Sequence, residues 1–143
     1  MTCIFCHQLK EEDILYQTEH FKVVWDIDPV QTGHLLIISK KHYDTLSQIP
    51  SAVRYELSDL EVFLADKLCQ ALTTDGVTIA CNDRLFDAGT HFHVHLIPRF
   101  RSDGFWDQIS LAQVQLDLHR FLKALQKAAR RLLFRLYSRL VYF

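Results

Sequence analysis

A run of three histidines alternating with apolar residues, His-Phe-His-Val-His-Leu-Ile at 91–97, constrains the fold more than any other part of this 143-residue chain. In an extended strand successive side chains point to opposite faces, so the imidazoles would share one face and the apolar side chains the other. The alternation predicts a strand at 92–97 with one packed face and one polar face. Pro98 is expected to end it.

The three histidines would recur about every 7 Å along that face. Histidine ordinarily titrates near neutral pH, so His91, His93 and His95 could supply a nucleophile, a proton donor and a metal ligand to one small anionic substrate. A metal-binding strand, or a merely polar one, is the alternative that the pattern alone leaves open.

The rest of the chain predicts a small α+β fold. Strands are expected at 14–17, 21–27, 34–38, 77–81 and 92–97. Apolar residues at helical spacing predict a helix from Ser51 to about Thr73, which Asp75-Gly76 would stop. The elements form an antiparallel sheet of about five strands with a helix packed on it.

A long C-terminal helix is predicted next. Ser110 and Gln113 form a capping-box pattern, and an apolar stripe continues to Leu140, which would give a helix ~30 residues and ~45 Å long. A small domain cannot cover that length, so we expect a packed first half and a second half that contacts another subunit or a membrane surface. Residues 1–109 are assigned to the catalytic domain and 110–143 to this basic amphipathic helix, as part of the same domain or a projecting extension.

Composition is that of one globular domain with a net charge near zero. No run approaches a membrane span and the N-terminus is too polar for a signal peptide, so a cytoplasmic location with unpaired cysteines is expected. Basic residues concentrate in one helix without aromatic stacking partners, which argues against nucleic-acid binding.

In two of its segments the chain resembles the histidine triad (HIT) nucleotide hydrolases and transferases. The triad fits at 91–97, and a second segment fits with Asp-Ile-Asp-Pro at 26–29, Gly-His-Leu-Leu-Ile-Ile at 33–38 and Lys-Lys-His at 40–42. The resemblance covers residues 3–100. It implies a HIT-like fold and a homodimer, and dimerisation would also be the simplest cover for the C-terminal helix.

The resemblance assigns catalysis to the triad. His93, the middle member, would attack phosphorus and carry the nucleotidyl group as a phosphoramidate. His91 flanks it. His95 would bind the phosphate and stabilise its developing charge, aided by backbone N–H groups near Gly89 and Thr90. Asp87 stands where HIT hydrolases commonly have a glutamine, so leaving-group handling is expected to differ here.

The same resemblance implies the remaining substrate contacts. Asp26 would accept hydrogen bonds from the ribose, with a turn role as its alternative. His34 would lie near the α-phosphate or support another histidine. Ile27 and Leu36 would line the base pocket. Asn82 would contact the substrate or form a turn.

Cys3-Ile4-Phe5-Cys6 is a second chemical motif, because two thiolates at this spacing supply half of a tetrahedral zinc site. In HIT proteins with this pair, the set is completed by residues that correspond to His42 and His91. The resemblance thus implies a closed structural Zn²⁺ site. A redox-active or unoccupied pair is the alternative.

The function predicted is hydrolysis at the α-phosphate of a nucleoside phosphate derivative, a dinucleoside polyphosphate or a nucleoside phosphoramidate, through a nucleotidyl-histidine intermediate. A nucleotidylyltransferase, or a zinc-stabilised nucleotide-binding scaffold with incidental catalysis, are the alternatives. The pattern does not select the nucleotide or the leaving group.

Overall fold

A computed structural model describes residues 2–87 and 89–128 of the chain, which divides into two compact units, Met1–Asp103 and Gly104–Phe143. The first unit contains two α-helices, α1 (Ile4–His7) and α2 (Ser51–Leu72), and five strands. The strands are β1 (Tyr16–Gln17), β2 (Phe21–Trp25), β3 (Leu35–Ser39), β4 (Gly76–Ala80) and β5 (His93–Arg99). The assignment of residues 1–109 to one domain stays a prediction.

The five strands form one antiparallel sheet in the order β1-β2-β3-β5-β4. The predicted α+β class and strand number are confirmed, with differences of one or two residues at most strand ends. The sequence predicts that Pro98 ends β5, and this prediction is wrong. Pro98 lies inside the strand, opposite Val77 of β4. The last β3–β5 pair is Leu35 with Leu96, so the missing N–H of Pro98 costs no hydrogen bond to β3.

Helix α2 covers one face of the sheet, and its apolar stripe forms the main core with the strands. The helix residues buried there are Val53, Leu57, Leu60, Leu64 and Leu68, and the strand residues include Phe21, Val23, Leu35, Ile37, Val94 and Leu96. Burying each such side chain stabilises the fold by roughly 1.5–3 kcal/mol. Because side chains alternate along a strand, the histidines of β5 point away from α2.

The opposite face carries a smaller apolar cluster of Val24, Leu36 and Ile38, on which Phe5 and Leu9 pack. Register places this cluster beside the histidines, because Ile38 pairs with His93 and Leu36 with His95. The N-terminal segment therefore covers the same sheet face as the triad.

Gly33 forms the turn before β3. Its φ is +86°, and a Cβ there would lie 3.1 Å from Cδ1 of Leu72 and 3.2 Å from Cγ of Pro98. Glycine is required by the left-handed backbone and by this close approach together. The turn leads directly into His34.

In the second unit, α3 spans Phe105–Gln108 and residues 118–128 are helical. The predicted helix start at Ser110 is wrong, because residues 109–117 are not helical. Asp117 instead caps the segment, its Oδ1 accepting a hydrogen bond from the Arg120 N–H at 2.9 Å. The predicted continuation to Leu140 lies outside the described residues, and within the described ones no helix is both long and apolar enough to cross a bilayer.

Candidate active site

Four side chains from three separate parts of the sequence meet at the start of β5. They are Cys3, Cys6, His42 and His91, and one donor atom of each lies within 4.8 Å of the others. Nδ1 of His91 is 3.1 Å from Sγ of Cys3 and 3.4 Å from Sγ of Cys6. Nδ1 of His42 is 3.4 Å from Sγ of Cys6. Two sulfurs and two imidazole nitrogens converging in this way match the donor set of a closed zinc site.

Both histidines of this cluster are oriented by oxygen atoms behind them. His91 donates from Nε2 to the Ser39 carbonyl oxygen at 2.6 Å, and His42 donates from Nε2 to Oδ1 of Asp44 at 3.2 Å. With the proton on Nε2, each ring presents the Nδ1 lone pair to the thiols. Burial lowers the pKa of His91, which favours this neutral form.

The Cys6 thiol is less ready to ionise than a free one. Burial, followed by the hydrogen bond and charge of Cys3, raises the pKa of Cys6. A cation between the sulfurs would reverse that balance, because a metal-coordinating thiol is deprotonated. The chemistry of the donor set and the neutral Nδ1 atoms therefore both fit a metal ion.

His93 occupies the centre of the row. Its Nδ1 donates to the His91 carbonyl oxygen at 2.7 Å, which leaves the Nε2 lone pair free of a proton. Nε2 has no hydrogen-bond partner among the described residues. Every side-chain nitrogen or oxygen that is buried in this part of the chain does have a partner, so Nε2 is not a buried atom. Nε2 is therefore open to solvent, although only 5 % of the residue is exposed.

Two aromatic rings hold His93 in place. The centroids of Phe5 and Phe86 both lie 5.2 Å from the His93 ring, with interplanar angles of 76° and 43°. Phe5 also packs edge-on against His91 at 5.5 Å. Phe5, one of the two residues between the cysteines, thus connects the sulfur cluster with the central imidazole.

At the far end of the row His95 contacts another imidazole. Nε2 of His34 and Nδ1 of His95 are 3.0 Å apart, and the Val30 N–H donates to Nδ1 of His34 at 3.3 Å. That donor assigns the His34 proton to Nε2, which then donates to His95 and leaves the His95 proton on Nε2. Burial is the main cause that lowers the pKa of both histidines.

Asp26 lies against this pair. Its Oδ2 is 3.4 Å from Nδ1 of His34 and 3.6 Å from Nδ1 of His95, and its Oδ1 accepts the Asp28 N–H at 2.9 Å. The negative charge partly offsets the effect of burial on both imidazoles. The turn contact and the histidine contacts are both present, with the side chain 13 % exposed.

The other predicted substrate residues are arranged less uniformly. Leu36 is buried beside His95, whereas Ile27 is 94 % exposed. Asn82 is exposed, and its carbonyl oxygen accepts the Leu85 N–H in a turn. The turn is the role that the contacts of Asn82 support.

The loop before β5 also forms a tight turn. The N–H and Oγ1 of Thr90 both donate to the Asp87 carbonyl oxygen, at 3.0 and 2.7 Å. The amide of Thr90, expected near the phosphate, is therefore engaged within the loop. Gly89 has a φ of +86°, and its carbonyl oxygen accepts the Ile4 N–H at 2.6 Å. The Asp87 side chain is exposed and its charge acts on His95.

Comparison with known proteins decides the family. The HIT domain matches residues 8–102. The chain belongs to the HIT family. The HIT-like fold and the resemblance to its zinc-binding members are thereby confirmed.

Named HIT relatives are similar over most of this chain. It is 29 % identical over 134 residues to adenylylsulfatase HINT3 of Arabidopsis thaliana, covering 90 % of this chain and 68 % of that protein. It is 33 % identical over 102 residues to the adenosine 5'-monophosphoramidase HNT1 of Saccharomyces cerevisiae, covering 68 % and 62 %. These relatives confirm the predicted class, a HIT-type nucleotide hydrolase.

A solved structure is similar as well. The crystal structure of a Zn-bound histidine triad family protein from Mycobacterium smegmatis superposes with a TM-score of 0.63 at 28 % identity, covering 81 % of this chain and 85 % of that one. The similarity agrees with the cluster of cysteines and histidines found here.

Several contributors to the HIT site were not predicted from the sequence. Phe5 and Phe86 pack on His93, the Ser39 carbonyl orients His91, and Asp44 orients His42. Only Phe5 and Asp44 could have been suspected from the sequence, because each lies within two residues of a predicted zinc ligand.

Proposed function

We propose that this HIT protein hydrolyses nucleoside phosphate derivatives at the α-phosphate through a nucleotidyl-His93 intermediate. The observation that carries the proposal is the hydrogen bond from Nδ1 of His93 to the His91 carbonyl oxygen. It leaves Nε2 as an unprotonated, accessible nucleophile, so no separate base is needed to activate it.

The reaction would proceed in two displacements. Nε2 of His93 attacks the α-phosphorus, an N–P bond forms, and the bond between phosphorus and the leaving group breaks with its electron pair. That electron pair goes to the leaving group, which takes up a proton from the solvent and departs. Water then attacks the same phosphorus, the N–P bond breaks, and the nucleoside monophosphate leaves while one proton of the water passes to the medium. The imidazole is regenerated unprotonated at Nε2.

His95 would bind the phosphate. With its Nδ1 accepting from Nε2 of His34, its Nε2–H is available as a donor to a phosphate oxygen, where charge grows in each displacement. His34 acts as a positioning residue, because it fixes which nitrogen of His95 carries the proton. Asp26 would accept hydrogen bonds from the ribose with the lone pairs that its protein contacts leave free.

The substrate would be a nucleoside phosphoramidate, a dinucleoside polyphosphate or another adenylated compound. Two relatives are named for adenylylsulfate and adenosine monophosphoramidate hydrolysis, which supports a small leaving group on an adenylyl unit. The Asp87 carboxylate would repel an anionic polyphosphate tail more than an amine. Ile27 and Leu36 would contact the base, and Gly89 and Thr90 would shape the phosphate loop. The Asn82 side chain would contact the substrate, while its carbonyl oxygen forms the turn.

Cys3, Cys6, His42 and His91 would hold one structural Zn²⁺. The support is the convergence of their donor atoms together with the oxygen-bound Nε2 atoms behind both histidines. When bound, the ion would tie the N-terminal segment to β5 and keep both sulfurs ionised. No step of hydrolysis passes through it. We further propose a homodimer, as the resemblance implied, and a cytoplasmic location, as expected from the sequence composition. Light scattering tests the dimer.

Trapping the intermediate tests the mechanism. The protein is mixed with an adenylyl phosphoramidate labelled in the adenosine, and turnover is stopped with alkaline detergent, because phosphoramidates are lost in acid. Label should remain on the wild-type protein, be released by mild acid, and be absent from His93→Ala. His119→Ala, which removes an exposed histidine of the second unit, should be labelled as the wild type is. Label retained by His93→Ala would refute the nucleophile, whereas unlabelled protein with normal turnover would indicate direct attack by water.

A further inference from the structure

The helical segment at 118–128 exposes a continuous apolar stripe. It consists of Leu118, Phe121, Leu122 and Leu125, which we call the C-terminal stripe, and their exposed fractions are 64, 58, 53 and 50 %. Their spacing, i, i+3, i+4 and i+7, places all four on one face of an α-helix. Removing leucine and phenylalanine side chains from water is favourable, and it occurs only when another surface covers this face.

The other face of the same segment is basic. Arg120, Lys123 and Lys127 project roughly opposite the stripe at 3.6 residues per turn, and all three are exposed. The sequence after Asp117 contains no acidic residue, and it contains four further arginines: Arg130, Arg131, Arg135 and Arg139. The charge has one sign throughout.

Apolar side chains extend the exposed surface before the helix. Leu111, Val114 and Leu116 are 76, 73 and 72 % exposed in the non-helical stretch that precedes the cap at Asp117. Trp106, in α3, is 73 % exposed. Large aromatic and aliphatic side chains with interspersed cations are the composition of segments that lie in a membrane interface.

We propose that the C-terminal stripe docks on an anionic lipid surface, with the helix in the plane of the interface. The apolar face would enter the boundary between headgroups and acyl chains, while the basic face would remain at the level of lipid phosphates and carboxylates. The proposal concerns residues outside the histidine row, and it does not depend on the proposed reaction.

Charge favours lipid over a second copy of the chain as the occupant. Two copies of this segment packed stripe to stripe would leave both basic faces uncompensated, since neither offers an acidic residue after Asp117 to pair with lysine or arginine. An anionic bilayer supplies both missing components, an apolar layer for the stripe and negative charge for the cations.

Vesicle sedimentation of the full chain tests the proposal. The protein should sediment with phosphatidylcholine–phosphatidylserine vesicles and not with phosphatidylcholine alone, and added salt should release it. Lys123→Gln/Lys127→Gln should weaken binding about 25-fold, at about five-fold per basic residue. Lys67→Gln, which removes an exposed lysine from α2, should not change it.

The apolar contribution is tested separately. Leu122→Gln/Leu125→Gln should abolish sedimentation while nucleotide hydrolysis is retained, and Val62→Gln, at a 61 % exposed position of α2, is the matched control. Absence of binding to anionic vesicles, or binding that ignores the stripe substitutions, would overturn the proposal. So would a dimer that Leu122→Gln/Leu125→Gln dissociates in the absence of lipid, because the stripe would then contact a second copy.

Discussion

The two ends of the histidine row differ in what lies next to the imidazole. His91, at one end, is almost fully buried, faces two sulfurs with Nδ1, and is fixed by a backbone carbonyl. His95, at the other end, is partly exposed and receives its hydrogen bond from His34 beside Asp26. One residue type, repeated at every second position of one short segment, thus has two different environments.

The difference shows that strand periodicity sets which face a histidine occupies, whereas contacts from other segments set its chemistry. The sulfur end is built by the N-terminal segment and is suited to hold the fold together. The imidazole end is built by the start of β3 and is suited to present a proton. His93 lies between them, 4.8 Å from His95 between ring centroids.

Replacing His93, at the centre of the row, should lower activity more than replacing a residue at either end. We expect His93→Ala to lower kcat on the order of 10⁴-fold or more while nucleotide affinity changes little, because the substitution deletes the nucleophile and leaves the binding groups in place. Steady-state hydrolysis and equilibrium binding measure the two quantities. Near-normal turnover in a folded variant would contradict the assignment.

Removing a cysteine should act on stability. We expect wild-type protein to contain about one zinc per chain. Cys3→Ser or Cys6→Ser should lose the metal and about 4 kcal/mol of unfolding free energy, which for a chain of this size lowers Tm by about 10 °C. Metal analysis and calorimetry check this. Cys81→Ser, at an exposed cysteine outside the cluster, is the control; equal melting of all variants would show that the pair is not a structural zinc site.

Lowering the pH should affect the His95 end. Burial lowers the pKa of His34 and His95 below the ordinary 6.5, so the folded protein binds fewer protons there than the unfolded chain. Their contribution to stability is complete above pH 6.5 and is lost as the pH falls through the lowered values. We expect the acid limb of kcat/KM to have its midpoint below 6.5. Zinc content is measured at each pH to exclude metal loss, and a midpoint at or above 6.5 would count against the prediction.

Truncation after Gln126 should have the smallest effect on chemistry. The shortened protein should hydrolyse nucleotides within about two-fold of the full chain, since all residues assigned to the reaction belong to the first unit, Met1–Asp103. Its solubility, partner binding or dimer stability should fall. Parallel hydrolysis assays and light scattering compare the two proteins; lost hydrolysis in a folded truncated protein would place the tail in the active site.

Much of the fold and the identity of the clustered residues could be predicted from the sequence. Alternation predicted β5, and the resemblance implied that Cys3, Cys6, His42 and His91 meet. The contact between His34 and His95 could not be derived in the same way, because it depends on strand register and on the turn at Gly33. Local patterns do not specify register between strands separated by a helix.

The C-terminal helix start shows the opposite limit. The capping box at Ser110 is a local signal, and helix nucleation is unfavourable without packing to stabilise it. Residues 109–128 are all exposed, so packing does not distinguish the non-helical stretch from the helical one. The helix begins where the Asp117 side chain accepts the Arg120 N–H, and within the described residues the Ser110 side chain makes no such bond to Gln113.

The close packing around Gly33 has a consequence for mutational tolerance. The position lies outside the row of histidines, yet a Cβ there would press against Leu72 and Pro98, and the left-handed backbone favours glycine. Any replacement would shift the residue that follows, His34. In a saturation library selected for hydrolysis, glycine at position 33 should be retained as stringently as a residue that contacts the substrate.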